Sequence, residues 1–286
     1  RDIMFYKGKS ILVTGGSGFV GSHIVGELLK QGAKVRVSVH KRSLAIKDER
    51  VEAINADLTR QEDCLKATQG VQYIFHAAGC VGSAAAGTSV AGITTNLVLT
   101  AQMLQAACRL NVERFLLFSS STVYPAVDHP VKEEEMGSGP MHPAYYGYGW
   151  MRRYFEILAE CVSLQSKLKV AIVRPTAIYG RGDNFDPKVS HVIPALIRRA
   201  VEKENPYVVW GTGDETRDFL NVTDLARACL FMLEKYANCD PVNIGYGKSV
   251  TIKEIVNIIL KAAGHTHARV VFDDSKPMTL PCRLVD

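Results

Sequence analysis

The sequence lacks the marks of a metal site, a disulfide framework or a membrane protein. Its seven cysteines are scattered singly among 286 residues, and no Cys-x-x-Cys pair occurs, which argues against zinc ligands and disulfide pairing. No apolar run reaches membrane-spanning length and no signal-peptide pattern is present. We therefore expect no bound metal, no membrane partner, and reduced, mostly buried thiols in the cytoplasm.

Neither sign of charge is in large excess. The formal net charge is only +5, and no long basic run is interleaved with aromatic residues, so the composition favours an anionic small ligand over nucleic acid. With 47% hydrophobic and 22% charged residues, the chain suits one large domain or two modest domains with ample core.

Short apolar runs alternate with amphipathic segments through residues 10–173. The runs predict strands at 10–14, 34–39, 51–56, 71–76, 114–118 and 169–173. The segments between them predict helices at 19–30, 61–68, 94–110 and 148–164. This alternation is typical of an α/β fold with a Rossmann-type, doubly wound parallel sheet.

The rhythm changes after Arg174-Pro175. Helices are predicted at 191–202, 222–235 and 251–263, with strands at 207–210 and 242–244, and the last helix opens on a capping-box pattern. We expect residues 1–174 to form the first domain, with 219–245 returning to it. Residues 175–286 are expected to form mainly a smaller α/β domain over the carboxyl ends of the strands.

A glycine-rich turn joins the first strand to the first helix. Its glycines would permit a tight turn, close approach of a pyrophosphate and close packing of the helix, whose N-terminus would hold the phosphates. The strand-turn-helix context makes this a dinucleotide site rather than an isolated motif. The residues expected to bind the dinucleotide here are Gly15, Ser17, Gly18, Phe19, Val20 and Gly21.

The end of the second strand bears on the choice between NADP and NAD. An acidic residue there would bind the ribose 2′-hydroxyl of NAD. This chain instead has Arg36 within the strand, followed by His40, Lys41 and Arg42. Such cations suit a 2′-phosphate, so the sequence favours NADP, with NAD as the alternative.

Two further strand ends face the expected cofactor. Asp57 and Leu58 follow the third strand, where they would lie beside the adenine. Ala77, Ala78 and Gly79 follow the fourth strand, where the cofactor must cross the sheet.

The stretch Tyr145–Arg152 contains three tyrosines, of which Tyr148 has a cation four residues later, at Arg152. Residues i and i+4 share a helix face, so the phenol and guanidinium would lie side by side. A neighbouring cation stabilises phenolate and makes the tyrosine a usable acid or base. Aromatic packing at a helix start, and a pairing of Tyr146 with Trp150, are the alternatives.

Together these motifs resemble the extended short-chain dehydrogenase/reductase family. The matching residues are TGGSGFVG (14–21), Asp57-Leu58, HAAG (76–79), Asn96, the serine run 119–121 and the Tyr148 helix. The resemblance implies a reaction centre of Ser120 and Tyr148 with Arg152 in the place of the family's lysine. It also implies that Asn96, Tyr148, Arg152 and Pro175 contact the cofactor.

The second half resembles family members that act on GDP-linked 4-keto-6-deoxysugars. The likeness is carried by PTAIYGRGDNFDP (175–187), SHVIPALIRR (190–199) and later segments. It implies substrate contacts from Thr122, Ala177, His191, Arg199, Trp210, Arg217 and Lys276. His191 matches the histidine of a cysteine–histidine pair that epimerises the sugar, whereas Thr122 stands in the cysteine position.

The resemblance implies an NADP-dependent reductase/epimerase of a nucleotide-linked 4-keto-6-deoxysugar, with Tyr148 as acid/base. Other readings remain open: a nucleotide-sugar 4-epimerase with tightly bound NAD, a non-catalytic NADP-binding sensor, or a reductase of small ketones. A homodimer paired through the helices at 94–110 and 148–164 is also implied.

Overall fold

The computed structural model describes residues 4–41, 43, 44, 46, 48–80, 89–275 and 282–286, and only the backbone at 282 and 283. The described strands are β1 (Ser10–Thr14), β2 (Lys34–Val39), β3 (Val51–Asn55), β4 (Tyr73–His76), β5 (Arg114–Phe118), β6 (Lys169–Pro175), β7 (Ala177–Tyr179), β8 (Tyr207–Trp210), β9 (Thr216–Asn221), β10 (Pro241–Ile244), β11 (Ser249–Thr251), β12 (Val270–Asp273) and β13 (Cys282–Arg283). The described helices are α1 (Phe19–Lys30), α2 (Gln61–Thr68), α3 (Val90–Arg109), α4 (Tyr146–Gln165), α5 (Val192–Val201), α6 (Val222–Lys235) and α7 (Ile252–Ala262).

Seven parallel strands form the main sheet, in the order β10-β6-β5-β4-β1-β2-β3. Successive side chains of a strand point to opposite faces, and β1 is apolar on both: Ile11 and Val13 pack with α1 and α6, while Leu12 packs with α2, α3 and α4. This double burial explains why the strands read as continuous apolar runs. The predicted Rossmann-type α/β fold is confirmed.

A separate core lies in the second half of the chain. Apolar residues of α5, α7, β8 and β9 pack together there, and Tyr207 is fully buried among them. In contrast, α6 packs against α1, and β10 adds to the edge of the main sheet through parallel pairing with β6. The division of the chain into two domains stays a prediction, although residues 222–244 do lie on the main sheet.

Some boundaries differ from the sequence prediction. Helix α3 begins at Val90 because the Ser89 hydroxyl caps it, accepting from the Gly92 amide at 3.1 Å. None of the short strands β7, β9, β11, β12 and β13 was predicted, since they are brief and β9 carries polar residues. The capping box of α7 is present, with the Glu254 carboxylate accepting from the Thr251 amide at 2.7 Å.

Among the described helices, none combines the length and apolar character needed to span a membrane.

Candidate active site

The glycine turn lies at the carboxyl end of β1, and backbone sterics explain its composition. Gly15 has φ +67°, and a Cβ there would lie 2.8 Å from the Ala77 carbonyl oxygen. Gly21 brings α1 onto the turn, because a Cβ would overlap the Gly15 carbonyl. Among the described atoms, a Cβ at Gly18 would meet only the Gly15 oxygen, at 3.1 Å, so this part of the structure leaves space above the residue.

The start of α1 fits an anion. The N-cap residue is Gly18, which supplies no side-chain cap, and the first turn holds no acidic residue. Its amide groups, from Phe19 to Gly21, are therefore available to a phosphate. The Ser17 hydroxyl is buried without a hydrogen-bond partner among the described residues. An orphaned hydroxyl beside an uncapped helix fits the pyrophosphate of a dinucleotide.

Beyond the glycine turn, polar side chains lie at the ends of β2 and β3. The backbone joins the two strand ends, since the Ala56 amide donates to the Val39 carbonyl at 2.9 Å. Hydrogen bonds from Thr59, at 2.7 and 3.0 Å, lower the pKa of Asp57, and the charge of His40 acts in the same direction. His40 and exposed Lys41 thus lie where the 2′ position of an adenosine would be expected.

Arg36 does not face the glycine turn: its guanidinium bonds Glu52 at 2.8 Å and the Gln69 carbonyl at 2.7 Å. Those partners lie toward the amino edge of the sheet, where α2 ends, so the structure does not bring Arg36 to the carboxyl ends of the strands, and its role at a 2′-phosphate stays a prediction. Arg42 lies outside the described residues. The Leu58 side chain is buried in the core, and its carbonyl accepts from the Cys64 thiol at 3.2 Å.

The end of β4 is held by a buried histidine. His76 Nδ1 lies 2.8 Å from the Thr14 hydroxyl, and its Nε2 lies 3.3 Å from the Thr100 hydroxyl. Burial and the positive charge of Arg152 lower the pKa of His76 to about 3. The Thr14 hydroxyl also accepts from the Ala78 amide at 3.1 Å. A neutral His76 therefore fixes the strand end that carries Ala77, Ala78 and Gly79.

Asn96 anchors the same strand end rather than pointing away from it. Its Oδ1 accepts from the Cys80 amide at 2.7 Å, and its Nδ2 donates to the Cys80 carbonyl at 3.0 Å. A Cβ at Gly79 would lie 3.2 Å from that Oδ1. With its acceptor and one donor used, Asn96 shapes the loop over which a cofactor would cross.

Residues 118–123, here called the serine segment, begin at the last residue of β5. The Ser120 Oγ accepts from the Thr122 amide at 3.2 Å, so its own O–H is free to donate elsewhere. The Thr122 hydroxyl and the Ser119 hydroxyl are buried without partners in the described structure. The segment therefore offers unused hydroxyl groups beside α4.

Tyr148 and Arg152 lie together in the first turns of α4, as the i, i+4 spacing predicts. Arg152 Nη2 donates to the Tyr148 Oη at 2.6 Å, and Nη1 donates to the Phe118 carbonyl at 2.6 Å. The guanidinium carbon lies 4.9 Å from the Tyr148 ring centre. Because Oη accepts from Arg152, the phenolic proton of Tyr148 is free for a ligand.

Gly149 lets α4 approach the serine segment. A Cβ at this position would lie 2.6 Å from the Thr122 carbonyl oxygen, and it would also overlap the Met141 sulfur. Close approach places the Tyr148 turn against Thr122. The sequence prediction did not single out this glycine, although its place between Tyr148 and Arg152 was visible.

A buried ion pair joins α4 to β6 next to the site. Arg174 bonds Glu156 twice, at 2.6 and 2.9 Å, and its Nη1 donates to the Tyr124 hydroxyl at 2.8 Å. Tyr124 in turn donates to Asn243 Oδ1 at 2.6 Å. This network ties α4, β6 and β10 to the end of the serine segment. The sequence analysis did not predict the pairing of Glu156 with Arg174.

The predicted substrate residues of the second half form a looser set. His191 is exposed and forms the N-cap of α5 without a side-chain cap bond. Asp183 lies within its electrostatic range; burial raises the pKa of the Asp183 carboxyl, while His191 opposes that rise. No hydrogen bond among the described residues joins the His191 side chain to Tyr148 or Ser120. Ala177 opens β7 opposite Phe219.

Some of the remaining residues predicted to contact the substrate form hydrogen bonds within the protein. Arg199 bonds Glu204 at 2.7 Å and also the Val208 carbonyl, so in this structure it serves the second core. Trp210 is 63% exposed at the end of β8. Arg217 Nη1 donates to the Thr216 carbonyl at 2.7 Å. Pro175 is buried opposite Ile244, and Lys276 lies outside the described residues.

The geometry combines a dinucleotide cradle with a hydroxyl and a phenol that can each donate a proton or hydrogen bond. A permanently charged guanidinium supports the phenol oxygen. Such an arrangement can stabilise and protonate an oxygen on which negative charge develops.

Comparison with known proteins agrees with this chemistry. The chain is 34% identical to the probable GDP-L-fucose synthase 1 of Oryza sativa subsp. japonica, with 98% of this chain and 84% of that protein covered. It is 30% identical to the dTDP-4-dehydro-6-deoxy-D-allose reductase of a Streptomyces species, over 98% and 89% of the two chains.

A solved UDP-N-acetylglucosamine 4-epimerase from Methanobrevibacter ruminantium M1, in complex with UDP-N-acetylmuramic acid, has a similar structure. The TM-score is 0.87 and the identity 26%, with 98% of this chain and 90% of that chain covered. Residues 11–245 match the model of the NAD dependent epimerase/dehydratase family. The resemblance inferred from the sequence is confirmed, and the chain belongs to the NAD dependent epimerase/dehydratase family.

Proposed function

We propose that the chain is an NADPH-dependent reductase/epimerase of a nucleotide-linked 4-keto-6-deoxysugar, with GDP as the nucleotide. The observation that carries the proposal is the 2.6 Å bond from Arg152 to the Tyr148 oxygen, made by a guanidinium that also bonds the Phe118 carbonyl at the start of the serine segment. The similarity to GDP-L-fucose synthases over nearly the whole chain supports the substrate class.

Bound NADPH would supply hydride to the carbonyl carbon. The residues of the chain would then stabilise and protonate the carbonyl oxygen. Tyr148 donates its proton to that oxygen, and Ser120 donates a second hydrogen bond to it. Thr122 orients Ser120 through its backbone amide, which donates to the Ser120 Oγ.

Arg152 stabilises the phenolate that remains on Tyr148. A guanidinium stays charged at neutral pH, so it holds the negative oxygen without releasing a proton. The proton must therefore return to Tyr148 from water or another donor. A lysine at this position would be a compact, mobile point charge, whereas Arg152 is fixed between Tyr148 and the Phe118 carbonyl.

For the cofactor we propose NADP, on the basis of His40, Lys41 and Arg42 and the lack of an acidic residue at 40–43, directly after β2. Calorimetric titration of NADP and NAD tests this. NADP should bind more tightly, and Lys41→Glu should narrow the difference. Equal affinities in the wild-type protein would contradict the NADP proposal.

We propose that Thr122 binds the sugar and does not abstract a proton from it. A thiol loses its proton readily enough for its thiolate to act as a base, whereas an alcohol is too weak an acid to do so. The Thr122 hydroxyl is buried without a partner in the described structure, so it can bind a sugar group. His191 could then move one proton only. Turnover in D₂O should place deuterium at no more than one of carbons 3 and 5; labelling of both would show this role for Thr122 to be wrong.

The proposed function is tested by NADPH oxidation with GDP-, UDP-, dTDP- and CDP-linked 4-keto-6-deoxysugars. The GDP-linked sugar should turn over fastest, and Tyr148→Phe should remove most of the rate while NADP binding persists. Tight NADP binding without turnover of any sugar would favour the sensor alternative. Interconversion of 4-hydroxy epimers with retained NAD would favour a 4-epimerase.

We also propose a homodimer. Helix α4 presents an exposed apolar stripe at helical spacing, formed by Tyr146, Trp150, Tyr154, Ile157 and Leu164. Exposed Val98 lies on neighbouring α3, and an apolar face across two packed helices suits a second copy of the same face. Sedimentation should give a dimer, and Ile157→Glu should give a folded monomer. A wild-type monomer at high concentration would contradict this.

A further inference from the structure

Two adjacent arginines of α4 reach opposite ends of the serine segment. Arg152 donates to the Phe118 carbonyl at 2.6 Å, and Arg153 Nε donates to the Val123 carbonyl at 2.7 Å. Between these bonds, Gly149 allows α4 to contact the Thr122 carbonyl. The segment that carries Ser120 is therefore attached to the helix at both ends.

Arg153 has no part in the chemistry described above, and burying its charged side chain costs free energy of folding. The residue is 6% exposed, and its Nη2 is buried with no partner among the described residues. Burial and the charge of Arg174 lower the Arg153 pKa, and Glu156, which opposes that shift, already accepts two bonds from Arg174. Stability alone would favour an apolar side chain at such a position.

What the guanidinium gains is a fixed orientation. It stacks on Trp150, with its carbon 4.9 Å from the ring centre, while its Nε points at the Val123 carbonyl. The Val123 amide in turn donates to the Ser120 carbonyl at 3.1 Å. A shift of Val123 would therefore reach Ser120 through the backbone turn.

We propose that Arg153 is a positioning residue for the reduction, which holds the serine segment so that Ser120 and the Tyr148 hydroxyl address the same substrate oxygen. The inference rests on the proposed function. A misplacement of reacting groups by about 1 Å costs on the order of 100-fold in rate. Arg153→Met should therefore lower kcat by about 10- to 100-fold.

The matched control is Arg114→Met. Arg114 also donates from a part-buried position to a backbone carbonyl, that of Leu233 at 2.7 Å, and lies 5.2 Å from an aromatic ring centre. It lies at the opposite end of β5, away from the serine segment. The control should keep its kcat within about twofold below its unfolding temperature.

The experiment measures NADPH oxidation with GDP-4-keto-6-deoxymannose, NADP affinity, and hydrogen exchange of a peptide that covers residues 118–124. Arg153→Met should lose kcat, keep its NADP affinity and exchange faster in that peptide. The KM for the sugar should change less than kcat, because the contacts of Arg153 in the described part of the chain are with Val123 and Trp150, neither of which is predicted to hold the nucleotide. Arg153→Lys, which keeps the charge, should give intermediate values of kcat and exchange.

Equal kcat losses in Arg153→Met and Arg114→Met, or unchanged kcat with unchanged exchange, would overturn the proposal. Should Arg153→Met not fold, Arg153→Lys decides: wild-type kcat and wild-type exchange in that variant would overturn it too. Failure of the wild-type protein to oxidise NADPH with any sugar nucleotide would instead refute the proposed function, and the exchange measurement would still test the attachment of the serine segment.

Discussion

Removing the carboxylate of Glu156 should destabilise the protein far more than the loss of an ordinary ion pair. The Arg174 and Glu156 side chains are 3% and 6% exposed and form two hydrogen bonds, at 2.6 and 2.9 Å. In Glu156→Gln the guanidinium stays buried, but its countercharge is lost, and the amide can direct N–H groups toward it. Breaking one partner of such a pair costs about 3–5 kcal/mol.

That cost is a large share of the stability of a globular protein, about 5–15 kcal/mol. At about 2–4 °C per kcal/mol, the melting temperature should fall by roughly 6–20 °C. Urea unfolding followed by circular dichroism measures the free energy, and calorimetry measures the melting temperature. A loss below about 1 kcal/mol would refute the reasoning, because it would mean that water reaches the pair or that the surroundings relax around it.

A surface pair supplies the control. Glu52 pairs with Arg36 at 2.8 Å, but its side chain is 60% exposed, so Glu52→Gln should cost about 0–1 kcal/mol. The double variant Glu156→Met/Arg174→Met should regain much of the lost stability, because the Arg174 guanidinium that Glu156→Gln leaves without a countercharge is removed together with its partner.

Three further changes probe the site. Gly149→Ala should lower kcat about tenfold or more, because the new Cβ would lie 2.6 Å from the Thr122 carbonyl oxygen and displace α4; an unchanged kcat would contradict this. Lowering the pH from 7 to 5 should reduce the free energy of unfolding, measured with urea, by about 2 kcal/mol more in the wild-type protein than in His76→Gln. The pKa of His76 falls from 6.5 in the unfolded chain to about 3 in the folded protein. Below pH 6.5 the unfolded chain therefore gains a proton that the folded chain does not. Gly18→Ala should weaken NADP binding at least tenfold with little change in stability. Gly15→Ala should weaken binding and also destabilise the protein by about 1–3 kcal/mol, since the φ of Gly15 is +67° and a Cβ there would meet the backbone. Equal effects of the two variants on NADP affinity and on stability would argue against a dinucleotide site at the glycine turn.

Local pattern was sufficient for most of the fold. Strands β1, β2 and β5 and helices α1, α2 and α6 have the predicted bounds, because burial on both faces of the sheet and glycine stops leave strong signals in the sequence. The i, i+4 pairing of Tyr148 and Arg152 was equally local, since helix geometry alone places the two side chains on one face.

Contacts between distant segments could not be read in this way. Arg36 has the charge expected of a 2′-phosphate ligand, yet strand alternation and the end of α2 direct it to Glu52 and the Gln69 carbonyl. Arg199 likewise meets Glu204 and the Val208 carbonyl. In both cases the residue type was visible, but its partner depended on how the elements pack.

The sequence by itself determined the α/β class, the glycine turn and the Tyr148–Arg152 pair, because each depends on residues close together in the chain. Only the tertiary structure decided that Arg153 reaches Val123, that Glu156 lies against Arg174, and that Gly149 touches Thr122. These contacts join segments far apart in sequence. Their geometry is set by the packing of α4 against the ends of β5 and β6, and no local propensity encodes it.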